Sequence, residues 1–225
     1  MADYKKIVPF IKKWEGGMSN DKSDTASHRG TMPGTYKGQT GWHTNKGVTW
    51  QTFSSLGNKL GYSVTSDNFI SMPDSIWGKI FKGGYWDAWG LDNSSSQMVA
   101  DYIVEFAWGF GVGGSRKHLK NFLKNKHGIT ANTNKDILTE LNILAKKDEK
   151  ILFAELVQFK KDMFVSLDQP RFIKGWLNRT NEFATHEEKF VGGSLNKKKV
   201  MLYASIGLTI VIVGGVIWGI KTGKI

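Results

Sequence analysis

The apolar positions near the start of the chain repeat with the period of an α-helix. Four of them fall at i, i+3, i+4 and i+7 and would line one face of about three turns; they are Ile7, Phe10, Ile11 and Trp14. Gly16 and Gly17 are expected to end this helix, because glycine adopts the left-handed conformation at a helix C-terminus at little cost. The pattern therefore predicts that Glu15 lies on the last helical turn.

Helical periods continue along most of the chain. Thr49 is expected to cap a helix that begins at Trp50, and Gly83–Gly84 to end the helix that contains Ile76. Residues 16–47 are rich in glycine and polar residues and show little periodicity, so one long loop is expected there. No convincing strand alternation is present. The pattern predicts a mostly α fold, with further helices near residues 98–108, 116–126, 136–167 and 172–183 and breaks at the glycines of residues 109–114 and near residues 146–150.

Residues 200–220 have a different pattern, because none of them is charged. At ~1.5 Å per residue, a helix of this length crosses a hydrocarbon core of ~30 Å. Lysines stand on both sides of the run, and Tyr203 and Trp218 lie near its ends, where interfacial aromatic residues are common. We predict one transmembrane anchor at residues 200–220, after a linker at residues 192–199 and before a short tail at residues 221–225.

The predicted anchor raises the question of which side of a membrane the rest of the chain faces. The first residues lack the apolar core of a signal peptide, and the lysines on the two sides of the run are too similar in number to set an orientation. Two hypotheses stay open: release when the membrane is breached, as in phage-type lysis, or transfer of the domain outward. The expected location is a bacterial inner membrane or the membrane of a phage-infected host. Glycines at positions 215, 219 and 223 have the spacing that pairs membrane helices, which allows an anchor-mediated homodimer.

The net charge of +11 favours a polyanionic partner such as nucleic acid, anionic lipid or an acidic cell-wall polymer. No nucleic-acid partner is predicted, because the chain has neither a basic-aromatic motif nor an arginine cluster. Cysteine is absent, and the five histidines show no metal-ligand spacing. Neither a metal nor another cofactor is therefore predicted.

Glu15 is the first candidate for chemistry. The carbonyl end of a helix carries partial negative charge, which disfavours a carboxylate relative to its protonated acid, and burial beside Trp14 would act in the same direction. A protonated glutamate is the general acid of glycoside cleavage. The local pattern alone is more typical of a solvated residue at a helix end, so the assignment depends on the rest of the chain.

Three stretches, in the same order over residues 4–185, together resemble the glycoside hydrolase family 108 muramidases. Trp14-Glu15-Gly16-Gly17, followed by Asn20-Asp21, is similar to the family's Glu-Gly-Gly and its trailing Asn-Asp. Residues 44–49, Thr-Asn-Lys-Gly-Val-Thr, resemble the family's Thr-Asn-Lys-Gly-Ile-Thr. The third stretch is distal, and it comprises Tyr85-Trp86-Asp87, the apolar helix that leads to Gly109, and Gly175-Trp176-Leu177-Asn178-Arg179.

The resemblance implies a lysozyme-like catalytic half at residues 1–90 and a helical, peptidoglycan-binding-like half packed on it at residues 91–191. It also implies hydrolysis of the β-1,4 bond between N-acetylmuramic acid and N-acetylglucosamine in peptidoglycan, with Glu15 as the catalytic acid. The chain departs from the family pattern in its longer span between Asp21 and Thr44. It departs again at Glu105 and Gly109, where the family favours Asp and Asn.

A second catalytic group is expected near Glu15. Asp24 and Asp21 are the candidate carboxylates, and Thr49 can help to hold a water molecule. Each aspartate can equally form an Asx turn with its own backbone. The candidate substrate-binding residues are Trp42, Trp50 and Trp86, which can stack on sugar faces, together with Asn45 and Lys46; Asn45 can instead hold the turn before Gly47.

Two other functions fit the same residues. A lytic transglycosylase also depends on one glutamate but leaves an anhydro sugar end. A non-catalytic, membrane-anchored peptidoglycan-binding or scaffold protein would not need Glu15 at all. Product analysis separates the first alternative from a muramidase, and a Glu15→Gln variant separates the second.

Overall fold

The computed structural model of the chain describes residues 1–188, and these residues are mostly helical, as predicted. Short 3-10 turns lie at Tyr4–Lys6, Thr25–Arg29 and Leu91–Asn93, and two short strands, β1 (Thr44–Asn45) and β2 (Val48–Thr49), form the described sheet. The helices are α1 (Val8–Trp14), α2 (Trp50–Leu60), α3 (Ser66–Ser71), α4 (Asp74–Lys79), α5 (Asp87–Trp89), α6 (Gln97–His127), α7 (Asn134–Ser166) and α8 (Pro170–Glu187).

The chain forms two compact units, which meet in sequence at Thr139 and Glu140. The first unit contains α1 to α6, the two strands and the start of α7. The described part of the second unit contains the rest of α7 and α8. The expected functional division into residues 1–90 and 91–191 stays a prediction.

Helix α1 ends one residue earlier than the sequence predicts. Glu15 is the C-cap residue, with extended backbone angles (φ −91°, ψ 131°), and its N–H donates to the carbonyl of Lys12 at 3.3 Å. Neither Gly16 nor Gly17 adopts a positive φ. The prediction that these glycines end the helix in the left-handed conformation is therefore wrong, because the chain leaves the helix by extending at Glu15.

The glycines at positions 83 and 84 do not end a helix either. A π-helical segment, Ile80–Trp86, carries the chain through them and joins α4 to α5. A Cβ atom at Gly83 would lie 2.5 Å from the side chain of Leu60, and one at Gly84 would lie 2.7 Å from Leu56. Glycine leaves room here for the side chains of α2, and the prediction of a helix end is wrong because the chain continues through both glycines as a π-helix.

Helix α6 consists of two helical parts that meet at Gly111, whose backbone angles (φ 72°, ψ 161°) are not helical. This confirms the predicted break in the glycine run. Ser96 caps the start of the helix by accepting from the N–H of Val99 at 3.0 Å, and Gly128 closes its end with φ 69°. The first part, Met98 to Trp108, is buried throughout and forms the centre of the first unit.

Strands β1 and β2 form a hairpin that the sequence pattern did not reveal. Thr44 pairs with Thr49 and Asn45 pairs with Val48, so the connecting loop has only two residues. Both loop residues, Lys46 and Gly47, have positive φ (47° and 76°), which is the signature of a type I′ turn. Strands of two residues are too short to show a period of two.

The described part of the second unit has its own apolar contacts. Helix α7 bends at Asp148 (φ −158°, ψ 98°), within the predicted break. Phe153 on α7 and Phe183 on α8 are fully buried, and their ring centres lie 6.2 Å apart.

Within residues 1–188, no helix is both long enough and apolar enough to cross a membrane. The anchor predicted at residues 200–220, its linker at residues 192–199 and its tail at residues 221–225 lie outside the described residues.

Candidate active site

Glu15 lies half-buried at the end of α1 and contacts a tryptophan that is distant in sequence. The indole N–H of Trp108, on α6, donates to Oε1 of Glu15 at 2.8 Å. The sequence pattern assigned this contact to Trp14, the neighbour of Glu15 in the chain. The structure instead provides an indole 93 positions away, with a hydrogen bond that fixes the position of one carboxyl oxygen.

The ring of Trp108 is held by three other aromatic rings. Its centre lies 5.3 Å from that of Trp77, 5.4 Å from that of Phe81 and 4.8 Å from that of Tyr85, in tilted arrangements that aromatic pairs favour. Only 7% of Trp108 is exposed. The donor that contacts Glu15 is therefore fixed by packing before any ligand binds.

Gly47, in the hairpin turn, lies against the other carboxyl oxygen. A Cβ atom at this position would be 2.1 Å from Oε2 of Glu15 and 2.8 Å from Nε1 of Trp108. Its φ of +76° also disfavours any L side chain. Glycine is thus required at position 47 both by the turn and by the close approach of the hairpin to Glu15.

Asn45 and Lys46 form hydrogen bonds that hold the hairpin against α3 and the residue that follows it. The amide of Asn45 is 2% exposed and donates to the carbonyls of Phe69 (2.6 Å) and Ile70 (2.8 Å). The ammonium group of Lys46 donates to the carbonyl of Met72 at 2.9 Å. The Asn45 amide points into the protein. The geometry therefore favours the alternative prediction for Asn45, that it holds the turn before Gly47 instead of binding substrate.

A cleft of about 520 Å³ opens beside Glu15. Lys12 and Asp74 form an ion pair at 2.8 Å in this cleft, and the ammonium group of Lys12 also lies 5.1 Å from the ring centre of Trp77. The hydrogen bond and charge of Lys12 hold the pKa of Asp74 below its usual value, so Asp74 is ionised at neutral pH. The lining residues are Lys12, Glu15, Gly16, Gly17, Lys46, Asp74 and Trp77.

Tyr85 lies near the carboxyl group of Glu15 and is connected through Thr52 to Thr49. Burial raises the pKa of Tyr85, and the charge of Glu15 raises it further, although a hydrogen bond with Thr52 acts in the opposite direction. Thr49 caps α2 as predicted, because its hydroxyl oxygen accepts from the N–H of Thr52 at 3.1 Å. The Thr49 hydroxyl also donates to the hydroxyl of Thr52 at 3.0 Å, so these side chains form one hydrogen-bonded group.

The two aspartates predicted as catalytic partners make loop hydrogen bonds. Oδ1 of Asp21 accepts from the N–H and the hydroxyl of Ser23, at 2.9 and 2.7 Å. Oδ1 of Asp24 accepts from the N–H of Ala26 at 2.9 Å and caps the 3-10 turn Thr25–Arg29. Both are the Asx-turn geometry that the sequence allowed, and a catalytic role for either stays a prediction.

The buried side chain of His43 connects the loop that contains Asp21 to the hairpin. Its Nε2 lies 3.1 Å from the carbonyl oxygen of Asp21, and its Nδ1 lies 2.9 Å from the hydroxyl of Thr44. Ser19 also pairs with Thr44 in an isolated β-bridge. The segment that leaves Glu15 is thus held against the hairpin on which Gly47 lies.

The three tryptophans predicted to stack on sugar rings differ in their surroundings. Trp42 is 9% exposed, and its N–H donates to the carbonyls of Tyr36 and Gln39. Trp50 is half-buried. Trp86 is fully buried, and its N–H donates to Asp92 at 2.7 Å. The stacking role predicted for Trp86 does not fit this structure, because the ring has no exposed face.

Within residues 1–188, no cluster of three or more His, Cys, Asp or Glu side chains is arranged to hold a metal ion.

The first unit matches a known family. Residues 8–111 match the model of the family described as glycosyl hydrolase 108. Residues 8–111 form a glycosyl hydrolase 108 domain. The chain is accordingly a glycoside hydrolase, and the matched region begins with α1 and ends at the bend of α6, so it includes Glu15, Gly47 and Trp108.

A solved structure supports the fold. The chain is similar to the structure of Brucella abortus SagA, with a TM-score of 0.59 and 19% sequence identity over 84% of this chain and 96% of that chain. At this identity the likeness shows the fold alone. No curated protein matches the chain.

Four residues that contact Glu15 or line the cleft beside it were not named as site residues from the sequence: Trp108, Gly47, Trp77 and Asp74. Gly47 stands inside the Thr44–Thr49 stretch, and Trp108 is the last residue of the apolar helix before the glycine run, so both had a local signal. The sequence around Asp74 and Trp77 is typical of the start of any helix and does not indicate a site. Only the fold brings that helix to the cleft.

Proposed function

We propose that the protein is an N-acetylmuramidase that hydrolyses the β-1,4 bond of peptidoglycan, with Glu15 as the general acid. The observation that carries the proposal is the hydrogen bond from Trp108 to Oε1 of Glu15 inside a glycosyl hydrolase 108 domain. A carboxyl group held in one orientation at the edge of a cleft is what proton donation to a glycosidic oxygen requires.

We further propose that the two oxygens of Glu15 have different tasks. An indole N–H can only donate, so Oε1 must accept whether the carboxyl group is charged or protonated. The proton that Glu15 delivers is therefore carried on Oε2, beside Gly47. It passes to the leaving sugar's oxygen as the bond from that oxygen to the anomeric carbon breaks. Water then supplies hydroxide to the anomeric carbon and returns a proton.

The cleft suits an acidic glycan. Lys12 and Lys46 line it, and Asp74 neutralises part of their charge. The ring of Trp77 forms part of the wall, and aromatic rings suit the apolar faces of sugars. Peptidoglycan supplies both sugar faces and carboxylates.

Three aspartates are candidates for the second catalytic group: Asp21, Asp24 and Asp74. Asp74 lies in the cleft with Glu15, whereas Asp21 and Asp24 are the positions that the family resemblance favours. Aspartate-to-asparagine variants test them, because asparagine keeps one acceptor oxygen for the loop hydrogen bonds and removes the charge. The variant that loses activity by about 100-fold or more, with an unchanged melting temperature, identifies the group that acts on substrate.

Muropeptide analysis tests the proposed reaction. Digestion of purified peptidoglycan by the protein should yield fragments that end in reducible N-acetylmuramic acid. Fragments that end in an anhydro sugar would contradict hydrolysis and support the lytic transglycosylase reaction instead.

We also propose that residues 200–220 anchor the enzyme in a lipid bilayer, as a single-pass protein that serves in phage-type lysis as an endolysin. The support is the uncharged run between lysines. Carbonate extraction should leave the full chain in the membrane and release a chain that ends at residue 191. Release of the full chain would contradict the anchor, and protease treatment of intact spheroplasts would reveal which side the domain faces. Crosslinking of the full chain tests the anchor-mediated homodimer.

A further inference from the structure

A basic groove lies on the second part of α6, apart from the cleft that contains Glu15. Its volume is about 380 Å³, and it shares no lining residue with the cleft. The residues that line it are Gly113, Arg116, Lys117, Lys120, Asn121 and Asn132.

The groove has two walls. Positions 113, 116, 117, 120 and 121 fall on one face of the helix, and Gly113 leaves that face open because it has no side chain. Asn132, from the loop after α6, forms the opposite wall. The ammonium group of Lys120 donates to the amide oxygen of Asn132 at 3.2 Å and joins the walls.

Positive charge is concentrated in the segment of the chain that contains the groove residues. Residues 109–139 contain six Lys or Arg and one Asp, so they carry +5 of the chain's net +11. The one acid, Asp136, accepts from the backbone N–H groups of Asn132 and Thr133 at 3.1 and 2.9 Å. Its carboxylate is thereby used to begin α7, and it is not among the residues that line the groove.

We propose that this groove binds the acidic groups of the cell-wall polymer, carboxylates or phosphates, as a second contact outside the cleft; the proposal rests on peptidoglycan being the substrate. Arginine and lysine recognise both kinds of oxyanion, and Arg116 can do so with two parallel hydrogen bonds. The asparagine amides add donors for the neighbouring amide and sugar oxygens of such a polymer.

The surface around the groove argues against a membrane or a nucleic acid as the ligand. A membrane-binding helix presents exposed apolar residues beside its basic ones, but the large exposed apolar residues of the described chain are Met1, Val64, Ile143, Ile151, Val165 and Leu167, none of which lines the groove. Binding of single-stranded nucleic acid uses aromatic rings for stacking. The groove has no aromatic lining residue.

The test measures binding of the full-length protein, in detergent, to purified cell walls. All proteins carry Glu15→Gln, so that cleavage does not interfere and failure of the proposed reaction leaves this measurement intact. The groove variant combines Arg116→Gln, Lys117→Gln and Lys120→Gln. The control variant removes three exposed lysines elsewhere through Lys5→Gln, Lys59→Gln and Lys150→Gln.

The groove variant should bind walls about fivefold or more weakly and with less dependence on salt, whereas the control variant should change less than about twofold. Walls whose carboxylates are coupled to ethanolamine with a carbodiimide carry neutral amides in their place, and walls treated with hydrofluoric acid lack phosphodiesters. If one treatment makes the groove variant and the protein with Glu15→Gln alone bind walls with equal affinity, the group removed by that treatment is the one that the groove binds. Equal losses in the groove and control variants would overturn the proposal. So would a groove variant that binds walls normally but loses binding to phosphatidylglycerol vesicles or to single-stranded DNA.

Discussion

The indole N–H of Trp108 donates to Oε1 of Glu15 at 2.8 Å, across 93 positions of the chain. Trp108 ends the buried part of α6 and Glu15 ends α1, so the two elements meet at this hydrogen bond. In the proposed mechanism, the catalytic proton is carried on the other oxygen of Glu15, Oε2, which lies against Gly47.

Trp108→Phe tests this relationship by removing the donor and keeping most of the ring. Hydrolysis should slow about 10- to 100-fold, the range expected when a hydrogen bond to a charged or reacting group is lost. The rate is measured on purified peptidoglycan, with circular dichroism to confirm folding. Trp89→Phe is the matched control, because Trp89 is 2% exposed and its N–H has no hydrogen-bond partner within residues 1–188. Equal rates for the two variants would show that the Trp108 N–H does not serve catalysis.

Gly47→Ala tests the close approach of the hairpin to Glu15. The added Cβ would meet Oε2 at 2.1 Å, so the carboxyl group must move, and activity should fall about 100-fold. Gly41→Ala is the control, since Gly41 has a similar φ of +80° but no atom within 4 Å of the added Cβ. Both variants should lose about 1–2 kcal/mol of unfolding free energy from backbone strain, but only Gly47→Ala should lose activity. A comparable loss in Gly41→Ala would mean that strain in the loop, rather than the contact with Glu15, governs the rate.

Local chemistry allowed several elements to be predicted. The Thr49 cap, the break of α6 at Gly111 and the bend of α7 near Asp148 follow from single residues and their immediate neighbours. Local chemistry also singled out Glu15, but the family resemblance made it the predicted catalytic acid, and the predicted geometry around it was wrong. The C-cap residue is Glu15 itself, and the glycines after it serve the loop.

Other features depend on contacts that a local pattern cannot contain. The hairpin has strands of two residues, and the contact between Glu15 and Trp108 joins distant elements. The π-helical segment follows the close packing of Gly83 against Leu60, so it depends on a neighbouring helix. Burial of Trp86 also follows from the fold, because nothing in its sequence context separates a core tryptophan from one that faces a ligand.

Asn45→Ala tests whether this residue holds the hairpin. The substitution leaves the carbonyls of Phe69 and Ile70 without their donor, which should cost about 2–3 kcal/mol of unfolding free energy. Urea denaturation measures the loss. Asn58→Ala, at an exposed position of α2, should change stability by less than about 0.5 kcal/mol. A stable Asn45→Ala variant with a raised KM would instead support direct substrate binding by Asn45.

Two substitutions of Thr49 distinguish a role in capping α2 from a role in catalysis. Thr49→Ala should destabilise the protein by about 1 kcal/mol through loss of the helix cap, whereas Thr49→Ser should not, because serine keeps the oxygen. If Thr49 also holds a water molecule, as predicted, Thr49→Ala should slow hydrolysis about tenfold at temperatures where it is fully folded. A wild-type rate in the folded Thr49→Ala variant would limit the role of Thr49 to capping α2.

Glu15→Gln is the most direct test of the general-acid assignment. Glutamine keeps a carbonyl oxygen that can accept from Trp108 but has no proton to donate to a glycosidic oxygen, so the fold and the hydrogen bond to Trp108 are retained while the acid is removed. Clearing of a suspension of purified cell walls is followed by turbidity, beside the wild-type chain at the same concentration. The assignment predicts a rate at least about 1,000-fold lower for a folded Glu15→Gln variant. Wall clearing by that variant at a rate near that of the wild-type chain would contradict it.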